Sequence, residues 1–202
     1  MTKVTQRAKQ KLDTRGRIRA AAWDLFTTAG YDETTTKAVA ERAGVASGTV
    51  FVHARDKADL LALVLGDRIR STVDEGFASL PRTGLVAQWM HLFGRLFHMY
   101  AEHPSLSSAF VRNVSAPNKG PNGQALDAYT FAFLHRMGAL VAAASQRGEL
   151  RRDVPADVAA RNAFALYLFA LTGMLGGYLP IDIALSSLRE SLELQLRGLK
   201  KG

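Results

Sequence analysis

The sequence predicts an all-α protein of about nine helices, with a short three-helix unit at the N-terminus and a longer helical bundle behind it. Three observations predict it. Every long segment repeats apolar residues at helical spacing, and none alternates apolar and polar as a strand would. Glycine or proline marks the breaks between these segments, at Gly30, Gly44, Pro81–Gly84, Pro104, Pro117–Gly123 and Pro155. Finally, the stretch from Thr34 to Lys57 reads as two short helices hinged on one glycine.

Residues 1 to about 12 are polar and basic, and they read as an arm able to reach an adjacent minor groove. Thr14 to Ala29 is the first helix, with Ile18, Ala21, Ala22, Leu25 and Phe26 on one face. Gly30 stops it, and Tyr31 is expected to fold back into the small core. Thr35 or Thr36 is placed to cap the next helix, since a hydroxyl oxygen accepts the unpaired N–H groups of a first turn. That helix runs from about Lys37 to Ala43 with Val39, Ala40 and Ala43 on its apolar face. Gly44 sits where a left-handed residue closes a helix, a conformation without steric cost for glycine. A second short helix starts near Ala46 or Ser47. A helix pair of this kind presents the N-terminal end of its second helix to a DNA major groove.

Charge agrees. The chain of 202 residues carries +8, and residues 1–57 hold 11 Lys and Arg against 6 Asp and Glu, or +5. Lys3, Arg7, Lys9, Lys11, Arg15, Arg17 and Arg19 face a single acid, Asp13. A basic cluster beside such a helix pair favours a polyanion. Hydrophobic residues at 48% and charged residues at 22% suit a chain with a substantial core. There are no cysteines, which excludes a disulfide framework and thiolate metal sites. Residues 1–17 hold no apolar core of the kind a signal peptide needs, and no uninterrupted apolar run reaches the roughly 20 residues that span a bilayer. The expected location is the cytoplasm.

Gly30-Tyr31, Thr34-Thr35-Thr36, Val39-Ala40, Ala43-Gly44-Val45, Ser47-Gly48-Thr49-Val50-Phe51 and Lys57-Ala58-Asp59-Leu60-Leu61 together resemble the TetR family of transcriptional regulators. The resemblance covers about Arg15 to Leu65. It implies a DNA-binding domain over residues 1–57 and a helical ligand-binding and dimerisation domain over residues 58–202. The residues expected at the DNA are Thr35, Thr36, Lys37, Ser47, Gly48, Thr49, Phe51, Val52, His53 and Lys57. Ser47 and Thr49 bring hydroxyls to phosphates or base edges, and Gly48 allows close approach. Val52 offers only apolar contact, for example to a thymine methyl. Phe51 stands where the family usually has tyrosine, so a phosphate hydrogen bond from that hydroxyl is lost, and His53 is expected to supply one instead. Ala54 replaces a bulky aromatic. Lys37 and Lys57 are expected on phosphates.

Beyond Lys57 the sequence predicts helices over Lys57–Leu80, Leu85–His103, Ser105–Val114, Gln124–Gly148, Ala156–Leu179 and Ile183–Lys200. Trp89, Phe93 and Phe97 share one helix face. An aromatic stripe at this spacing is ordinary core. The resemblance adds a small-molecule pocket, for which Trp89, Phe93, Phe97, Phe110, Tyr129, Phe133, Met137, Phe164 and Tyr167 are the candidate lining, with Tyr129, His98, His135 and Arg112 as its polar minority. His91, His98 and His103 lack a third ligand at metal spacing, and no metal or cofactor is expected. The helix from Ala156 is apolar nearly all round, and Leu185, Leu188, Leu192, Leu196 and Leu199 stripe the last one, so residues 156–200 are expected to form a homodimer interface. The expected function is a homodimeric repressor, released from a palindromic operator on double-stranded DNA by a small, largely apolar effector. The alternatives are a helix-turn-helix regulator without effector and an all-helical enzyme, for which no catalytic set is present.

Overall fold

The computed structural model describes residues 6–114, 117 and 119–199. Among them are nine helices: α1 Gln6–Thr28, α2 Thr36–Ala43, α3 Ser47–His53, α4 Lys57–Ala78, α5 Leu85–Ala101, α6 Pro104–Val114, α7 Pro121–Gln146, α8 Ala156–Leu175 and α9 Ile181–Arg197. The all-α expectation holds element by element. Two starts differ. α1 begins at Gln6, so residues 6–12, expected as an arm, are helical; Gln, Ala, Lys and Leu are good helix formers with nothing to break them. Residues 1–5, including Lys3 of the expected arm, lie outside the described residues. α7 begins at Pro121 rather than Gln124, because proline fits a first helical position where no N–H is needed.

The chain divides into two compact units. The first holds Met1–Arg68 and Ser105–Leu126, the second Ile69–Pro104 and Asp127–Gly202. The long helices α4 and α7 each begin in the first unit and end in the second.

In the first unit, Ile18, Ala22 and Phe26 of α1 are buried with Val39 and Ala40 of α2 and Val50 of α3. Tyr31 packs on Phe26 with ring centroids 5.3 Å apart. The start of α4 is a reciprocal cap: Asp56 Oδ1 accepts from Asp59 N–H at 2.8 Å, and Asp59 Oδ2 accepts from Arg55 N–H at 3.0 Å. Asp59 then does the same for α7. Its carboxylate accepts from the N–H groups of Asn122 at 2.9 Å and Gly123 at 3.1 Å, and from Asn122 Nδ2 at 3.0 Å. A β-carbon on Gly120 would come within 2.3 Å of that carboxylate, so this position has room only for glycine.

The second unit is built on aromatic contacts. Phe93 stacks on Tyr167 at 4.6 Å and 10°, and Phe97 meets the same ring edge-on at 5.6 Å. Phe133 meets Phe77 and Phe164, each at 6.0 Å. α8 and α9 pack on each other and on α5, burying Ala160, Ala163 and Leu171 against Ala184, Leu188 and Leu192. Arg136 closes the rim, with its guanidinium 3.7 Å from the Phe77 ring centroid and Nη1 2.5 Å from Asp74.

Asp59→Ala strands three backbone donors at once and is expected to destabilise the first unit by about 2–4 kcal/mol, readable as a lower denaturation midpoint. Glu33→Ala, at an exposed position of the α1–α2 connection, serves as the surface control and is expected to stay within ~0.5 kcal/mol.

Candidate nucleic-acid interface

The geometry of the helix pair follows from local rules. Thr35 is the residue before α2; its Oγ1 accepts from Ala38 N–H at 3.1 Å. Thr34 lies buried with its hydroxyl donating to Gly30 C=O at 2.7 Å, which fixes the turn out of α1. Gly44 adopts φ 63° and ψ 43°, and Val45 N–H reaches back to Ala40 C=O at 3.0 Å. Arg17 holds this turn from outside α2. Its Nη2 donates to Ala43 C=O at 2.5 Å and Gly44 C=O at 2.7 Å. No pattern in the sequence singles out Arg17, because the carbonyls it meets are 26 and 27 positions away.

α3 then presents one face outward. Ser47, Gly48, Phe51 and Val52 are exposed, and Thr49 is half-buried. Phe51 is 53% and Val52 68% exposed, although both are large and apolar. Val50 and His53, three residues apart, share the inner face. Of the other residues expected at the DNA, Lys37 and Thr35 are exposed and Thr36 is half-buried.

Two expected contacts sit elsewhere. His53 is buried rather than turned to solvent, because its position on α3 falls under the helix. Its backbone C=O accepts from Asn122 Nδ2 at 2.8 Å, while Asn122 Oδ1 accepts from Arg15 Nη2 at 3.1 Å. Lys57 turns back over the α1–α2 connection. Its Nζ donates to Tyr31 C=O and Asp32 C=O, each at 3.0 Å, and lies 4.6 Å from the Tyr31 ring centroid. Both residues hold the helix pair in place. Asp59, Asn122 and Arg15 do so as well; the sequence marks Arg15 only as part of the basic cluster and Asp59 only as part of the motif after α3, and gives none of the three this role. The only local signals were Asp56-x-x-Asp59 ahead of an apolar run and the Pro121 start of α7.

The candidate lining residues of the second half fall apart into groups. Phe93, Phe97, Phe133, Phe164 and Tyr167 form the ring cluster, and Trp89 and Met137 are fully buried. Phe110 belongs to the first unit. Tyr129 points its hydroxyl to Asp74 Oδ1 at 3.1 Å and Arg70 C=O at 3.3 Å, and burial followed by the Asp74 charge pushes its pKa up to about 12. His98, His135 and Arg112, the expected polar minority, are exposed, so they do not face an interior.

Burial, then the charges of Arg15 and Lys11, hold the His53 pKa below its ordinary 6.5. The folded chain therefore binds fewer protons than the unfolded one just below that value, and stability falls as pH drops through about 6.5. The loss is expected to shrink in His53→Gln, measured as melting temperature between pH 7.5 and 5.5. Lys57→Met is expected to lower stability by about 1–2 kcal/mol and to leave the salt dependence of DNA affinity unchanged. Lys37→Ala is expected to leave stability unchanged and to reduce the log–log salt slope by about 1.

Residues 18–64 match the family model described as bacterial regulatory proteins, tetR family. No curated protein matches the chain in sequence. Solved structures do match in fold. A TetR transcriptional regulator from Rhodococcus sp. RHA1 superposes with TM-score 0.70 at 22% identity, over 95% of this chain and 99% of that one. The FadR regulator of Bacillus subtilis, solved in complex with stearoyl-CoA, superposes with TM-score 0.71 at 17% identity, over 91% and 98%. The ketosteroid regulator KstR2 of Mycobacterium tuberculosis gives TM-score 0.57 at 16%, over 93% and 95%. At these identities the likeness of the whole chain is one of fold. Residues 18–64 are a TetR-family helix-turn-helix domain, and the chain as a whole has the fold of TetR-family transcriptional regulators.

Proposed function

We propose that the protein is a homodimeric repressor acting in the cytoplasm, holding a palindromic operator through residues 1–57 and released by a small, largely apolar ligand held in residues 58–202. The observation that carries the dimer is the unburied apolar surface of α8 and α9. α8 is, by length and composition, apolar enough to cross a bilayer, yet only a third of its apolar window is buried in one chain. Phe169 on α8 is 78% exposed and Leu194 on α9 is 69% exposed. Apolar surface left in water costs about 25 cal/mol per Å², and a second copy related by a two-fold axis covers it on both chains at once. A two-fold dimer also pairs two recognition helices, as a palindromic operator with half-sites about 34 Å apart requires.

The ring cluster of the second unit supports an apolar ligand, since it offers aromatic surface and few polar groups. The Bacillus subtilis neighbour was solved with stearoyl-CoA, which makes a long-chain acyl thioester the first ligand class to try. One observation favours a second reading, a regulator without effector: Trp89, Phe93 and Phe97 are fully buried and the rings already fill one another's faces. The two readings differ in what a ligand does to stability.

The test is selection of bound fragments from random duplex DNA, light scattering for mass, and melting with and without stearoyl-CoA. The expected outcome is a two-fold symmetric motif, a mass of two chains, and a melting temperature raised by acyl-CoA together with weaker operator binding. A symmetric motif with no ligand effect on either quantity favours the effector-free regulator. A monomer, or a motif without two-fold symmetry, overturns the dimer.

A further inference from the structure

The outward face of α3 has an unusual chemistry for a helix that reads DNA. Ser47 and Phe51, then Gly48 and Val52, are each four apart, so the four line one stripe on the exposed side. This stripe carries no Arg, Lys, Asn or Gln, and the whole helix is SGTVFVH. The bidentate pairings that read guanine and adenine edges require those side chains. They are absent from α3, while the hydroxyl that a tyrosine would bring at position 51 is also absent. What projects furthest is apolar: the Phe51 ring and the Val52 methyls, both more than half exposed.

Cationic side chains flank the stripe rather than occupying it. Lys37 at the start of α2 has a side chain 79% exposed, 4.0 Å from Glu41, and Arg55, two residues past α3, is half exposed and paired with Asp56 at 2.9 Å, both surface pairs that phosphates can compete for. The occupant that fits is a duplex, with its phosphates met by the flanking cations and its groove floor met by apolar groups. Within the major groove only one base offers an apolar group, the C5 methyl of thymine.

We propose that Phe51 and Val52 are the specificity-determining residues of this regulator, reading thymine C5 methyl groups on neighbouring base pairs of each half-site. Ser47 and Thr49 add hydrogen bonds that tolerate several bases, so methyl contact decides which sequences are chosen. The design explains why Phe51 is left exposed: its ring has no partner within the described residues of its own helix face, and a methyl group is a dry, shape-matched one. Burying one methyl contributes about 0.8 kcal/mol, which corresponds to about a fourfold change in affinity.

The experiment takes the operator obtained by selection and replaces each thymine of one half-site, one at a time, by deoxyuridine. This removes only the C5 methyl and leaves every hydrogen-bonding edge and the protein unchanged. Binding is measured for the full chain and for the Phe51→Ala/Val52→Ala variant. The expected result is thymine enriched at adjacent positions in each half-site, and about fourfold weaker binding for uracil at those positions only. The variant is expected to bind both operators equally, so that the loss belongs to the pair of groups and not to either alone. Three outcomes overturn the proposal: a selected motif without thymines or no motif at all, a uracil series with no effect on the full chain, or a variant that keeps the full chain's sensitivity to uracil. A variant that binds more weakly while uracil has no effect assigns Phe51 to the sugar–phosphate backbone instead.

Discussion

A single carboxylate, that of Asp59, holds the DNA-binding end together. It lies almost fully buried and accepts four N–H groups, from Arg55, Gly123 and twice from Asn122. Two of these are orphan donors at the start of α7, where a negative charge is also favoured by the helix dipole. Asn122, fixed by this bond, passes the constraint on. Its amide donates to the last carbonyl of α3 and accepts from Arg15 of α1. One buried acid therefore ties four helices of the first unit, and the demand it makes on space explains the glycine at position 120.

That constraint matters most for α3. A helix of seven residues is far too short to persist alone, because nucleation fixes several residues before any bond is gained. Here both ends are held from outside. The turn before it is clamped by Arg17 on the carbonyls of Ala43 and Gly44, and its last carbonyl is taken by Asn122. Inward anchors at Val50 and His53 fix its rotation. The outer face is thereby freed from any structural duty. Two cations suggested for phosphate binding illustrate the division of labour: Lys37 is exposed, whereas Lys57 is committed to carbonyls and an aromatic face.

The second unit shows the opposite distribution. Its interior is a continuous set of ring contacts from Phe77 through Phe133 and Phe164 to Tyr167, Phe93 and Phe97. Such pairs contribute about 0.5–1.5 kcal/mol each beyond their burial. Tyr167 shares this interior, and burial, then the nearby Tyr100, drives its hydroxyl pKa well up, so it stays neutral. With that much apolar surface inside, the apolar residues that remain exposed on α8 and α9, Phe169 and Leu194 among them, are a surplus that the chain leaves unburied.

The sequence by itself determined the helices, their order and the inward faces. These depend on neighbours three or four positions apart, on Thr35 and Gly44 as caps, and on a proline break such as Pro104. It also determined that α3 lacks the long polar side chains of direct base readout, since that is a matter of composition. Tertiary structure decided what the polar residues do. His53, Lys57 and Tyr129 all looked available at the level of sequence, and each is committed to a partner or a buried face. Asp59 and Asn122 were silent because they are 63 positions apart, and nothing local records that one helix start will need the other's carboxylate. Periodicity is written in short-range spacing, whereas the partner of a hydrogen-bonding group is settled only when distant segments meet and every buried donor must find an acceptor.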